Sequence, residues 1–199
     1  MFRSSIRAAL LLAAVTVMCQ AAFPTVASAQ ATPVATDTAA RRIVLKLDPP
    51  FFFTGGYGGA LGIRHRGLEV GVMGFSAPLP AVFRDQFLSN AKGRTVTRNI
   101  GLELYAQKDV AQWRWPISVG ALISYDRFKL RDAANALRQT DAFYVAPRAA
   151  IRIPVLHSRV FFEPALGLAV RLWEKDRAAQ PTRAIAPLSF LTIGVPLHD

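Results

Sequence analysis

Cysteine is nearly absent from this chain. Its 199 residues hold one, Cys19, which excludes a disulfide-stapled scaffold. Charge is sparse too: 19% of residues are charged against 52% hydrophobic, a balance that excludes a coiled coil and a disordered chain. The three histidines, His65, His157 and His198, are isolated and lack ligand spacing, so neither a metal nor a cofactor is expected. Gly55-Gly56-Tyr57-Gly58-Gly59 has no Gly-Lys-Ser/Thr or Gly-x-Gly-x-x-Gly context, and reads as small residues for a crowded interior rather than a phosphate loop. No segment after residue 29 approaches the roughly 18 uninterrupted apolar residues of a membrane helix. Any crossing of a bilayer therefore falls to strands.

What is present begins with an export signal. Arg3 and Arg7 supply the basic start, residues 6–17 the apolar stretch, and Ala27-Ser28-Ala29 the small-residue cleavage site. A membrane anchor is the competing reading, but the run is short and Pro24 follows it. Met18 does not suit a lipoprotein site, so Cys19 leaves with this segment. Residues 1–29 thus read as a cleaved signal peptide, 30–41 as a flexible lead-in and 42–199 as one domain. Loss of the two signal arginines takes the formal charge from +11 to +9. Export, and the lack of a basic stripe with interleaved aromatics, argue against a nucleic-acid partner.

From Arg42 onward the dominant period is two, the mark of strands with two chemically different faces. Over residues 113–126 one face reads Trp113, Trp115, Ile117, Val119, Ala121, Ile123, Tyr125, and the other Arg114, Pro116, Ser118, Gly120, Leu122, Ser124, Asp126. Residues 143–153 and 160–173 repeat the pattern, and weaker versions occupy 43–48, 55–64, 68–75, 96–107 and 184–197. That makes eight strands. The connections at 65–67, 108–112 and 154–158 are short, whereas 76–95, 127–141 and 174–183 are longer. Pro116, Pro147, Pro164 and Pro187 fall inside expected strands, and each requires a bulge or a strand end.

On this alternation the chain resembles the small eight-stranded outer-membrane β-barrels of Gram-negative bacteria, over roughly residues 42–197. The resemblance implies an all-β fold, an antiparallel eight-stranded up-and-down transmembrane β-barrel. It places the short turns toward the periplasm and the long loops outside. It also implies outer-membrane lipid as surroundings, the barrel assembly machinery as a partner in biogenesis, and aromatic girdles at both membrane faces. Trp113 and Trp115 would form the inner girdle, and Tyr125, Phe128, Phe143 and Trp173 the outer one. Arg127, Lys129, Arg131 and Arg138 would lie in an outer loop beside lipopolysaccharide phosphates; a solvated basic face is the alternative. The chain ends without the aromatic residue such barrels commonly carry.

Two checks stand apart from the resemblance. The ten residues from Trp115 to Tyr125 span roughly 23 Å at a ~45° tilt, matching an apolar band of about 25 Å. The polar face carries Glu69, Glu103, Asp126 and Glu163 against Arg114, Arg148, Arg152 and Arg171, a balanced set that a closed lumen could pair. Residues 80–90 bring Val82, Phe83 and Phe87 together at helical spacing, for a segment on the membrane rim or a plug over the mouth. Leu130, Ala133, Ala134 and Leu137 share that spacing.

These readings point to a non-enzymatic barrel with a structural or surface-interaction role. A soluble periplasmic, lipocalin-like barrel holding an apolar ligand is the alternative. A lipid hydrolase using Ser158, His157 and Glu163 is a third, disfavoured because adjacent His and Ser rarely reach catalytic geometry and Glu163 points inward.

Overall fold

The computed structural model describes residues 41–89, 94–112, 114–131, 134–155, 158–175 and 182–197. Of the two units into which the chain divides, residues 1–36 and 37–199, every described residue belongs to the second. The signal peptide, nearly all of the lead-in, Trp113, His157 and His198 lie outside the described residues.

The elements run β1 (Arg42–Leu47), α1 (Pro49–Phe53), β2 (Tyr57–His65), β3 (Leu68–Leu79), α2 (Ala81–Phe87), β4 (Thr95–Gln112), β5 (Pro116–Arg131), β6 (Leu137–Ile151), β7 (Ile153–Pro154), β8 (Phe161–Glu174) and β9 (Ile185–Pro196). Each strand pairs antiparallel with its neighbours. β9 returns to β1 and β6 reaches β8, so the sheet closes in a ring. Both helices lie at one end, the helix end; the tight turn at Arg66 and Gly67 marks the other, the turn end.

Among the described residues nine strands replace the eight expected, because the sixth is divided at Arg152 into β6 and the two-residue β7. The cause is Pro164 of β8, which has no N–H to give to the strand beside it. Ala150 pairs with Ala165 and Ile153 with Phe162, in step on both sides of the gap. The division is thus an interrupted ladder and not a slip. Pro147 sits at a second pause, where the β6–β8 pairing skips Ala146 and Pro147. Pro116 opens β5. Pro187 pairs with Leu168 on one side, while β9 meets β1 only from Ile193 onward. Each of these four prolines therefore occupies a strand start or an unladdered side of its strand.

Two expectations about the helix end need correction. Residues 127–141 are not a long loop: β5 runs to Arg131 and β6 begins at Leu137, paired to each other, with Asn135 at positive φ in the short connection. Leu130 is accordingly buried and Leu137 exposed, as strand alternation demands, and the apparent helical spacing has no helix behind it. Strict alternation would turn Trp173 inward with Arg171. A bulge between Phe143 and Tyr144 in the β6–β8 register sets Trp173 beside Phe143 on the outer face instead. The spacing over 80–90 does form a helix, α2, whose first turn bonds back to the carbonyl of Pro80.

The inward face is built from small residues wherever strands approach most closely. At Gly120 an added Cβ would meet Ala106 O at 2.0 Å and Gln107 Cα at 2.6 Å, both backbone atoms of β4. At Gly74, on the outer face, it would meet nothing within 4 Å. Gly120→Ala should therefore destabilise the ring by about 1–3 kcal/mol, whereas Gly74→Ala should be near neutral. Denaturant midpoints of the two variants check this.

Candidate functional site in the ring interior

Toward the turn end the interior holds a charge cluster around two buried carboxylates, Glu69 and Glu163. Alternation in β1 sends Ile43, Leu45 and Leu47 outward and Val44 and Lys46 inward. The Lys46 ammonium reaches both acids, 2.6 Å from Glu69 Oε1 and 2.6 Å from Glu163 Oε1. Its register neighbours, Ala60 and Gly194, are small enough to leave it room. Arg152, at the break between β6 and β7, bridges the same acids from the other side, at 2.6 Å to Glu69 and 2.8 Å to Glu163. Arg148 adds a contact of 3.3 Å to Glu163. Tyr105 donates to Glu69 at 2.9 Å and Gln107 donates to Glu163 at 3.2 Å. Aromatic faces shield the cations: Arg152 lies 4.3 Å from the Phe161 ring centroid and Lys46 5.2 Å from that of Tyr105. Arg64 pairs with Asp109, which also accepts from Ser118, where the cluster meets the turns.

The half toward the helices has different chemistry. A cavity of about 100 Å³ is lined by Asp48, Glu103 and Asp126 together with the rings of Phe51, Phe75, Phe83 and Phe87. Phe51 stacks on Phe75 with centroids 5.0 Å apart, and Phe87 stands edge-on to Tyr144. α1 and α2 supply part of its wall, so α2 acts as a plug. Arg183 N donates to the carbonyl of Phe87 at 2.7 Å, tying α2 to the segment that leads into β9. Asp126 accepts from Ser124 at 2.6 Å and from Asn99 at 3.3 Å. Glu103 Oε2 and Asn99 Oδ1 are buried without a hydrogen-bond partner. Among the described residues no base forms an ion pair with these three acids. Asp48 does not cap α1 with its side chain, and burial pushes its carboxyl up to about 7.

The eight charges expected to pair in one lumen divide four ways. Glu69, Glu163, Arg148 and Arg152 come together. Glu103 and Asp126 stand apart in the cavity. Arg171 turns to Glu174 at 2.8 Å and to Thr182. Arg114 is not interior at all: it lies exposed in the bend before β5, its guanidinium 5.1 Å from the Trp115 ring centroid. Strand alternation does not extend into that bend.

Lys46, Tyr105, Gln107 and Arg64 are the members missing from the sequence reading. Alternation carried that signal, but the count took in only charged residues of the third to seventh strands, whereas Lys46 and Arg64 lie in the first two and Tyr105 and Gln107 carry no charge.

Of the expected outer girdle, Tyr125, Phe143 and Trp173 stand at one height on adjacent strands, outside the ring. Phe128 is buried in the core instead, because it shares parity with Leu122 and Leu130. Arg127, Lys129 and Arg131 lie on the outer face of β5 and Arg138 at the start of β6, in strand rather than loop. Arg127 is held by Asp141 at 2.9 Å and Arg131 by Asn135 at 3.0 Å. Ser158 Oγ donates to Val155 O and accepts from Val160 N, the bonds of a turn. Glu163 is fully engaged in the charge cluster. No group of three His, Cys, Asp or Glu among the described residues could hold a metal ion.

No protein-family model, curated protein or solved structure matches this chain.

Removing one partner from a buried ion cluster leaves the others uncompensated, so Lys46→Ala should cost about 3–5 kcal/mol. Arg114→Ala, at an exposed bend, should leave the urea midpoint unchanged. Tryptophan fluorescence reports both. Because the folded Asp48 carboxyl titrates above its unfolded value, its contribution to stability is full at low pH and lost as pH rises toward 7. The thermal midpoint should therefore fall across that window, and Asp48→Asn should remove part of the fall.

Proposed function

We propose that this chain is a non-catalytic outer-membrane β-barrel, exported by residues 1–29, whose lumen is closed and whose role is structural or one of surface interaction. One observation carries the reading: the outward faces of the ring are apolar while the buried charges lie inside. On β4 the outer face reads Ile100, Leu102, Leu104, Ala106; on β5 Ile117, Val119, Ala121, Ile123; on β8 Phe162, Leu166, Leu168, Val170. Many of these side chains are exposed, Leu104 at 61%. A continuous apolar exterior is costly in water and suited to hydrocarbon. Closure also satisfies the backbone, the condition any membrane-crossing strand must meet. Among the described residues no helix is long and apolar enough to cross a membrane, which leaves strand crossing open.

The aromatic row of Tyr125, Phe143 and Trp173 marks the outer interface in this reading. Arg127, Lys129, Arg131 and Arg138 stand just beyond it, at the height of lipopolysaccharide phosphates. An open pore is not part of the proposal, since Lys46, Glu69, Arg152 and Glu163 fill the cross-section and α2 plugs the helix end. A lipocalin-like barrel would need an apolar interior and a polar outside, the inverse of this arrangement.

Leu104 separates the two directly. It lies on the outer face between Val72 and Ile123. In a membrane-embedded wall Leu104→Arg should cost roughly 2–4 kcal/mol and reduce assembly. In a soluble barrel it should be harmless. Fractionation, with gel migration compared before and after boiling, reads the outcome: wild type in the outer-membrane fraction with a heat-dependent shift, and the variant depleted from it. A wild-type protein in the soluble periplasmic fraction would sink the proposal.

A further inference from the structure

Among the described residues, the cavity at the helix end is lined by acceptors and aromatic walls and by no cation. We propose that it binds a small organic cation, an ammonium carried on a short alkyl or aryl body. This rests on the interior alone and holds whatever surrounds the ring.

Three carboxyls line the cavity, from β4, β5 and the residue following β1. Glu103 is 4% exposed, yet its Oε2 has no partner. Asn99, 6% exposed, leaves its Oδ1 unpaired in the same wall. Tyr144 Oη, on a third lining residue, is unpartnered as well. Buried polar atoms are nearly always satisfied, so three unpartnered oxygens on residues lining one cavity call for a donor from outside the chain. An anion would meet three acids and no free base. A neutral apolar molecule would leave these oxygens orphaned. A primary ammonium brings three N–H donors and positive charge. The rings of Phe51, Phe75, Phe83 and Phe87 supply apolar walls for its body and faces that attract a cation. A bare metal ion suits the site poorly, since no three carboxylates among the described residues could hold one. The cavity volume, about 100 Å³, sets the size at a single ring or a short chain.

The contrast with the charge cluster strengthens the assignment. There, Lys46 and Arg152 stand between two acids and every carboxylate is matched. The exogenous ammonium would do in the cavity what Lys46 does in the cluster.

The test is calorimetric titration of the full folded chain in non-ionic detergent at pH 8 with benzylammonium, benzyl alcohol and benzoate in turn. Benzylammonium should saturate at one site and bind at least tenfold tighter than benzyl alcohol, with no binding of benzoate. Glu103→Gln, which keeps the volume, should weaken benzylammonium at least tenfold and leave benzyl alcohol unchanged. Equal affinity for the amine and the alcohol, or no saturable binding by a protein whose circular dichroism shows folded β-structure, would overturn the proposal. An unchanged affinity in Glu103→Gln would do the same. Should that variant misfold, Asp126→Asn and the wild-type comparison of the three ligands decide the matter.

Discussion

Two carboxylates buried at the centre of the ring govern much of what surrounds them. Glu69 and Glu163 are removed from water, and a buried carboxylate keeps its charge only with a partner. Lys46 and Arg152 neutralise both at once, bridging β3 and β8 from β1 and from the break between β6 and β7. These strands are distant in sequence and meet only because the sheet closes. The cluster also constrains register. A slip of one residue in any contributing strand would send its charge to the apolar exterior and leave a partner uncompensated inside.

The prolines fit the same plan. Pro164 interrupts the ladder opposite Ile151, one step before Arg152, and Arg152 keeps one backbone bond, donating its N–H to Pro116 O at 3.0 Å. Register is retained across the gap, so Arg152 and Glu163 still face one another and bond side chain to side chain. A residue that weakens a sheet is tolerated where the interior bonding is strongest.

The two halves of the interior are chemically unequal. Toward the turns, acids and bases are matched and packed between aromatic faces. Toward the helices, Asp48, Glu103 and Asp126 share a space walled by phenylalanines and capped by α1 and α2. Matched charge makes a filler of the first half, whereas the unmatched acceptors of the second leave room for a ligand's chemistry. The proposed membrane setting and the proposed cation site occupy different surfaces of one ring, the outer face and the inner.

Alternation made most of the strands legible from the amino acids alone, because a side-chain period of two survives any tertiary arrangement. It identified an inward set containing Glu69, Arg148, Arg152 and Glu163, and an outward set containing Tyr125 and Phe143. It misled at the Arg114 bend, where the backbone departs from the period, and over residues 127–141, where a strand pair carries a sparse apolar spacing that resembles a helix. Which acid meets which base was beyond it. Balanced counts treat all charges on one face as interchangeable, but height along the strand decides reach, and height is set by register between strands. Lys46 completing the cluster, Glu103 standing without a base and the helices enclosing a cavity are therefore consequences of ring closure, which juxtaposes residues more than a hundred positions apart.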